Sequence, residues 1–302
     1  LIASKGSSTF SAITPMGRQH ENDREATAAD LKWLADPAEE PEPFGDGGTK
    51  MAWNTFNVVS IYPNGNPVMS DVNQRWVGDC CACAVIASMA YLYPRFVKHI
   101  IKDNMDKTYT VTMYDPKGKQ ISVGVGGDYF IGNSGDLGAL GGRNKEVTWA
   151  TILEKAMIKW NQIYQGSSNV GGIGTEYVSA IFTGDGESVG FGANALIAED
   201  LQRAVEVSLK QGRLVIGGFT RSGEQVDQNW QTTSGHAFTF ILPDDNTHLF
   251  KMRNPWGGTT DGVMKVKDDG RIPPMIDLRI CAPGAAKNYG VGPDLGGYIP
   301  NF

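Results

Sequence analysis

The longest apolar run of the chain covers residues 80–93. It is rich in alanine, free of glycine and proline, and followed by Pro94, which predicts a buried helix that stops there. Helical spacing returns over residues 146–164, where Trp149, Ile152, Leu153, Ala156, Met157 and Trp160 fall on one side. Residues 199–212 predict another helix, with Leu201, Ala204, Val205 and Leu209 on one face and Gly212 as its C-cap. Residues 27–34 predict one short helix. Extended patterns lie at 56–61 and 109–114, the latter turning at Asp115-Pro116-Lys117-Gly118 into a second strand over 120–123. Strand patterns dominate the second half, at 214–219, 236–241, 249–253, 263–266 and 276–281. Residues 125–145 and 167–190 are rich in glycine; the first reads as a loop and the second as a hinge between two lobes. Helices early and strands late predict an α+β fold whose two lobes meet at a cleft.

A chain of 302 residues suffices for one large domain or two ordinary ones. The pattern divides it into an N-terminal extension over 1–50, a first lobe over 51–186, a second lobe over 187–285 and a tail over 286–302. The net charge of −6, with no dense Lys/Arg cluster, argues against nucleic acid as a partner. No apolar run is long enough to span a membrane. The four cysteines are Cys80, Cys81, Cys83 and Cys281. Three crowd one helical turn, which builds no disulfide framework, and the spacing matches no common zinc pattern. Reduced thiols, and with them a reducing intracellular compartment, are the reading. Secretion stays open, because the chain starts with Leu and a targeting signal is not excluded.

The chemistry begins at Cys80, which opens the first long helix. A thiol there sits at the positive pole among unpaired backbone N–H groups, which favours the nucleophilic thiolate. On its own the position also suits a core thiol, since free cysteine is among the most buried residue types. Gln74, six residues earlier, offers a neutral donor to an oxyanion forming beside that sulfur. Such a nucleophile needs a base, and the base needs a group to orient it. Of the four histidines, His20 sits in the polar extension, His99 at a helix end suited to solvent or capping, and His248 in the turn 244–248. His236 follows Ser234-Gly235 and opens an apolar strand, so it can face a cleft. Asn254 falls on the neighbouring strand if 244–247 makes the hairpin turn. Its carbonyl can accept from one imidazole nitrogen and fix the tautomer, with Trp256 shielding that bond. An Asn before Pro also reads as a turn initiator. The three residues stand in the chain order of a Cys-His-Asn site.

These residues carry a resemblance to the calpain family of papain-fold cysteine proteases. The family's Gln-x-x-x-Gly-Asp-Cys motif is matched by Gln74, Gly78, Asp79 and Cys80. Its His, set before Ala and an apolar strand, is matched in Gly235-His236-Ala237, and its Arg-Asn-Pro-Trp-Gly run from Arg253 to Gly257. Residues 149–156 resemble the family's second helix of the first lobe, and residues 181–186 its junction between lobes. The likeness covers roughly residues 50–285. It implies a two-lobed papain-like core, helical in the first lobe and β-rich in the second, with the active site between them. It implies a thiol endopeptidase acting on proteins or peptides, in which Cys80 attacks, His236 serves as its partner and acid, and Asn254 orients His236. The Gln74 side chain and the Cys80 backbone N–H would hold the oxyanion. No cofactor is needed for the chemistry. The family does imply calcium as an activator, with Asp71 at the position of a ligand carboxylate, Glu146 near a second, and Asp261 alone in the loop after Asn-Pro-Trp-Gly. Asp71 also suits a solvated turn.

The family has Trp where this chain has Cys81. The Gly-Asp-Cys register and the Gln74 spacing assign the nucleophile to Cys80. Neighbours on a helix point about 100° apart, so Cys81 is expected to turn from the cleft and pack against a wall. Two other readings remain: a transglutaminase-type acyl transferase, against which Asn254 counts because that family uses Cys-His-Asp, and a catalytically silent binding module on the same fold. Residues 1–50 read either as a loosely held extension or as a leader docked through Trp33 and Leu34 that blocks the cleft. Removal of residues 1–45 is expected to leave a folded protein of equal or higher activity.

Overall fold

The computed structural model describes residues 14–15, 23–46, 49–191, 198–219, 222–223, 225–227, 230–231, 233–242, 250–257, 262–264 and 277–290. His20, His248 and Asp261 lie outside the described residues.

The described chain is a mixed α/β structure. Its helices are α1 (Ala28–Ala35), α2 (Cys80–Leu92), α3 (Pro94–Ile100), α4 (Trp149–Tyr164), α5 (Thr175–Thr183) and α6 (Ala198–Lys210). The apolar run beginning at Cys80 is α2, and every residue from Ala82 to Leu92 is buried. Pro94 ends it as expected but also opens α3, at the first helical position where its missing N–H costs nothing. The pattern over 146–164 condenses into α4 only from Trp149, because Thr148 is extended and caps it, its Oγ1 accepting from the Ala150 N–H at 3.3 Å.

Two readings of the sequence fail locally. The extended pattern at 56–61 makes no strand; the strand lies just before it, at Ala52–Thr55. That strand pairs antiparallel with Asp128–Ile131, inside the stretch expected to be loop. The expected hinge at 167–190 instead holds α5 and the strand Glu187–Phe191. Tyr177, Val178, Ile181 and Phe182 give α5 a buried helical face, a spacing masked by the glycines on either side.

The hairpin forms where expected, as Tyr109–Tyr114 paired with Gln120–Val125, and is extended at one edge by Ile101–Asp103. The later strands, joined at one edge by the N-terminal Thr14–Pro15, build an antiparallel sheet, in the order Thr14–Pro15, Glu187–Phe191, Asp277–Cys281, Leu214–Gly218, Ala237–Ile241, Phe250–Arg253 and Gly262–Met264. The helix α2 packs on the strands Leu214–Gly218 and Ala237–Ile241. A hydrogen bond of 2.7 Å from Thr239 Oγ1 to the Ala84 carbonyl ties helix to sheet. Among the described residues no single helix is long and apolar enough to cross a membrane.

The segment 23–44 is built into the fold and lines no part of the Cys80 cavity, so it does not fit a detachable leader over the cleft. Leu34 is fully buried, as its docking role required. Two lysines of α4 explain the attachment. Lys159 is enclosed and donates to the carbonyls of Asp36 and Gly124, each at 2.8 Å, beneath the Trp33 ring. Lys155, also enclosed, pairs with Glu40 at 2.6 Å beside the Trp53 ring. A Cβ on Gly124 would stand 2.4 Å from the Ala35 carbonyl, so the end of α1 reaches this strand only because that residue is glycine.

Candidate active site

Cys80 is the first residue of α2, preceded by Asp79 in non-helical conformation. His236 ends the turn before the strand Ala237–Ile241, and Asn254 follows directly on the strand Phe250–Arg253. These two strands are neighbours, with Thr239 opposite Arg253, so His236 and Asn254 project from the same end of the sheet. The packing of α2 on that sheet brings Cys80 to them. Cys80, Cys81 and His236 line one cavity of about 360 Å³.

The hydrogen bonds fix the imidazole. His236 Nε2 lies 2.7 Å from Asn254 Oδ1, and the Trp256 backbone N–H donates to the same oxygen at 3.0 Å. An atom that accepts from a backbone N–H is the amide carbonyl, so Nε2 carries the proton and donates. Nδ1 is left for the sulfur. His236 is 7 % exposed and Asn254 1 % exposed. The half-exposed Trp256 stacks on the imidazole with centroids 4.3 Å apart, screening the bond from water.

The Cys80 thiol is drawn down to about 4, first by hydrogen bonding from the Cys81 thiol and then, against burial, by the His236 side chain and the Ala237 backbone N–H. The same interaction with Cys80, followed by burial, pushes the Cys81 thiol up. One sulfur of the pair is the anion and its neighbour the donor. Cys81 therefore does not turn away as expected. Both are partly exposed and border the same cavity. The reason is position: at the free end of a helix, a cavity that wraps the end meets two successive side chains. Its wall beside the pair is the start of α5, at Gly174, Thr175 and Glu176.

Gln74 donates from Nε2 to the Val77 carbonyl at 2.8 Å. A primary amide carries two such hydrogens, so one remains. The loop of Gln74 is locked to that of Asn254. The Gln74 N–H donates to the Pro255 carbonyl at 2.8 Å, and Arg253 Nη2 donates to the Val72 carbonyl at 2.6 Å. At Gly257 φ is +72° and a Cβ would stand 1.8 Å from Asn73 Oδ1, so only glycine admits this approach.

Asp71 is buried and serves the fold. It accepts from Asn64 Nδ2 and Trp149 Nε1, each at 2.7 Å, and from the Val68 N–H at 3.2 Å. Three donors leave little of either oxygen for an ion, and calcium needs six to eight oxygen ligands. Among the described residues no group of three or more His, Cys, Asp or Glu stands where it could hold a metal. The donor set around Asp71 thus does not fit calcium. Glu146 is partly buried behind Gly142, where a Cβ would meet its carboxylate. His99 lies against the Tyr289 ring, 4.6 Å between centroids.

The sequence pattern missed the cavity's charged wall, where Arg279 Nε lies 3.9 Å from Glu176 Oε2. It also missed Glu154, a buried carboxyl in contact with Asp79. A larger hollow of about 600 Å³, between residues 23–35 and the hairpin tip at 115–122, holds none of the candidate catalytic residues.

The family model described as calpain family cysteine protease matches residues 53–262. No curated protein matches the chain.

Proposed function

Because the chain belongs to the calpain family of cysteine proteases, we propose that it is an endopeptidase hydrolysing peptide bonds in proteins through Cys80, His236 and Asn254. The reading takes the part carrying α2 and α4 and the sheet carrying His236 and Asn254 as the two lobes of a papain-like core, parted near residue 186. In it the Cys80 thiolate attacks the scissile carbonyl carbon. The oxyanion meets the Cys80 backbone N–H at the start of α2 and the second Nε2 hydrogen of Gln74. His236 gives its Nδ1 proton to the leaving amine, then takes one from the water that hydrolyses the thioester. Asn254 holds the ring in place throughout.

The observation that supports this most is the placement of His236, between the low-lying Cys80 thiol and an Asn254 carbonyl at 2.7 Å. Gly174, Gly217, Gly218 and Gly235 on the cavity wall leave room for an extended peptide backbone. The acyl-transferase alternative separates from hydrolysis by product: incubation with a glutamine-containing protein and a labelled amine yields amine incorporation in one case and shortened chains in the other. The proposed chemistry draws on no metal. With Asp71 occupied by protein donors, activity is expected to persist in excess chelator; loss of activity restored by calcium would contradict that. The experiment that tests the function is cleavage of a denatured protein by the wild type and by Cys80→Ala.

A further inference from the structure

Asp79 and Glu154 are two enclosed carboxyl groups that the proposed chemistry does not use, 0 % and 1 % exposed. Asp79 directly precedes Cys80 and stands at the N-cap of α2, yet its side chain makes no capping hydrogen bond. It turns inward, where Oδ1 accepts from the Cys83 thiol at 3.4 Å. Glu154 comes from the second turn of α4, and its Oε2 accepts from the Leu140 N–H at 2.9 Å. That leaves Asp79 Oδ2 and Glu154 Oε1, both sealed from solvent and both lacking a donor. The two side chains are within hydrogen-bonding contact. Two carboxylates at that range cannot both be ionised, and a single proton between them satisfies both orphaned oxygens.

We propose that Asp79 and Glu154 share a proton in a buried carboxyl pair that clamps the first turn of α2 to α4 and so positions Cys80. The clamp is a property of the fold; its bearing on catalysis rests on Cys80 being the nucleophile. Both are positioning residues, since neither lines the cavity of Cys80 and His236. Any shift of Asp79 moves the Cys80 N–H one peptide away. The shared proton also spares the thiolate a second negative charge beneath it. The groups facing the pair are Cys83 and Cys80 of α2 and the Leu140 N–H of the loop before α4; Cys81 also feels the Asp79 charge.

Burial pushes the Asp79 carboxyl up to about 7. Burial, and then the Asp79 charge, push Glu154 well above its usual range. The folded chain therefore binds protons that the unfolded chain has lost by about pH 4. The Asp79 share of this stability is complete below that value and is lost as pH rises through about 7.

The test uses the full chain, with Tm measured from pH 5 to pH 9 and iodoacetamide labelling of Cys80 read by peptide mass mapping at pH 7. Glu154→Gln keeps a donor for Asp79 and removes one titrating carboxyl; Glu154→Ala removes both. The fall in Tm with pH is expected to be smaller in Glu154→Gln than in the wild type by about 2–4 °C. Labelling of Cys80 is expected to stay within about threefold of wild type in Glu154→Gln and to slow at least about tenfold in Glu154→Ala. Parallel Tm curves for wild type and Glu154→Gln, or equal labelling in the two variants, would overturn the clamp. If Glu154→Ala does not fold, the Tm comparison decides alone. A flattened Glu154→Gln curve with no labelling of Cys80 even in the wild type would sustain the pair and sink the nucleophile.

Discussion

On the proposed reading, Cys80 and Cys81 divide one job between two adjacent sulfurs, with the thiolate on the first and a donor on the second. Reactivity should therefore persist above about pH 4 and be lost below it. An unperturbed thiol, near 8.5, would react at pH 6 at about 0.3 % of its full rate. Iodoacetamide labelling of Cys80 is accordingly expected to be near its plateau at pH 6, and Cys81→Ala to move the acid limb upward without abolishing activity. An unmoved limb would show that Cys81 is a bystander. His236→Ala is expected to lower kcat/KM by at least about 10³. Asn254→Ala should be milder, about 10- to 100-fold, because it orients the ring without transferring a proton and leaves Nε2–H without its partner. Steady-state kinetics on one peptide substrate compares the two. That Cys80, His236 and Asn254 would come together was legible in the sequence, because each sits in a short motif whose neighbours set its direction. Cys81 was misjudged because helical angles describe the middle of a helix, not the open end where a cavity wraps it. Glu154 was illegible: a helical stripe shows which positions are buried but not which carboxyl on another element will share a proton.

At the scale of elements, the least expected is the segment 23–44. Its composition is that of a surface extension, polar and rich in proline, and nothing in that pattern reveals the two lysines it covers. Lys155 and Lys159 sit on α4 at i and i+4, within an apolar stretch. Seen alone they read as solvated flanks of the helix. In the fold their ammonium groups are enclosed, and residues 36–40 supply the Asp36 carbonyl to Lys159 and the Glu40 carboxylate to Lys155. Stripping partners from buried charges costs about 3–5 kcal/mol. A chain lacking residues 1–45 is thus expected to unfold at markedly lower urea, against the expectation from sequence that it would stay folded with equal or higher activity. An unchanged urea midpoint would restore that reading. The strand Ala52–Thr55 and helix α5 were missed for a related reason. Both lie beside glycine- and proline-rich sequence, and their partners, Asp128–Ile131 and α2, are far away in the chain. Elements with strong periodicity over their whole length, α2, α4 and the hairpin at 109–125, formed almost where the pattern placed them.

Across the whole molecule, the candidate site lies where the helix α2 meets the sheet. The helix α2 brings a thiol at its positive end; the sheet brings an imidazole and an amide from adjacent strands. The contacts of residues 72–74 with residues 253–257 hold the two in register. The central claim is that this junction cuts protein chains through the Cys80 sulfur. Its most direct measurement is incubation of a denatured, unrelated protein with wild type and with Cys80→Ala, matched for folding by circular dichroism, and mapping of the cleaved bonds by mass spectrometry. The account predicts internal peptide bonds cut by the wild type and none above background by Cys80→Ala. Equal cleavage by both, or cleavage lost in Cys81→Ala and kept in Cys80→Ala, would contradict it.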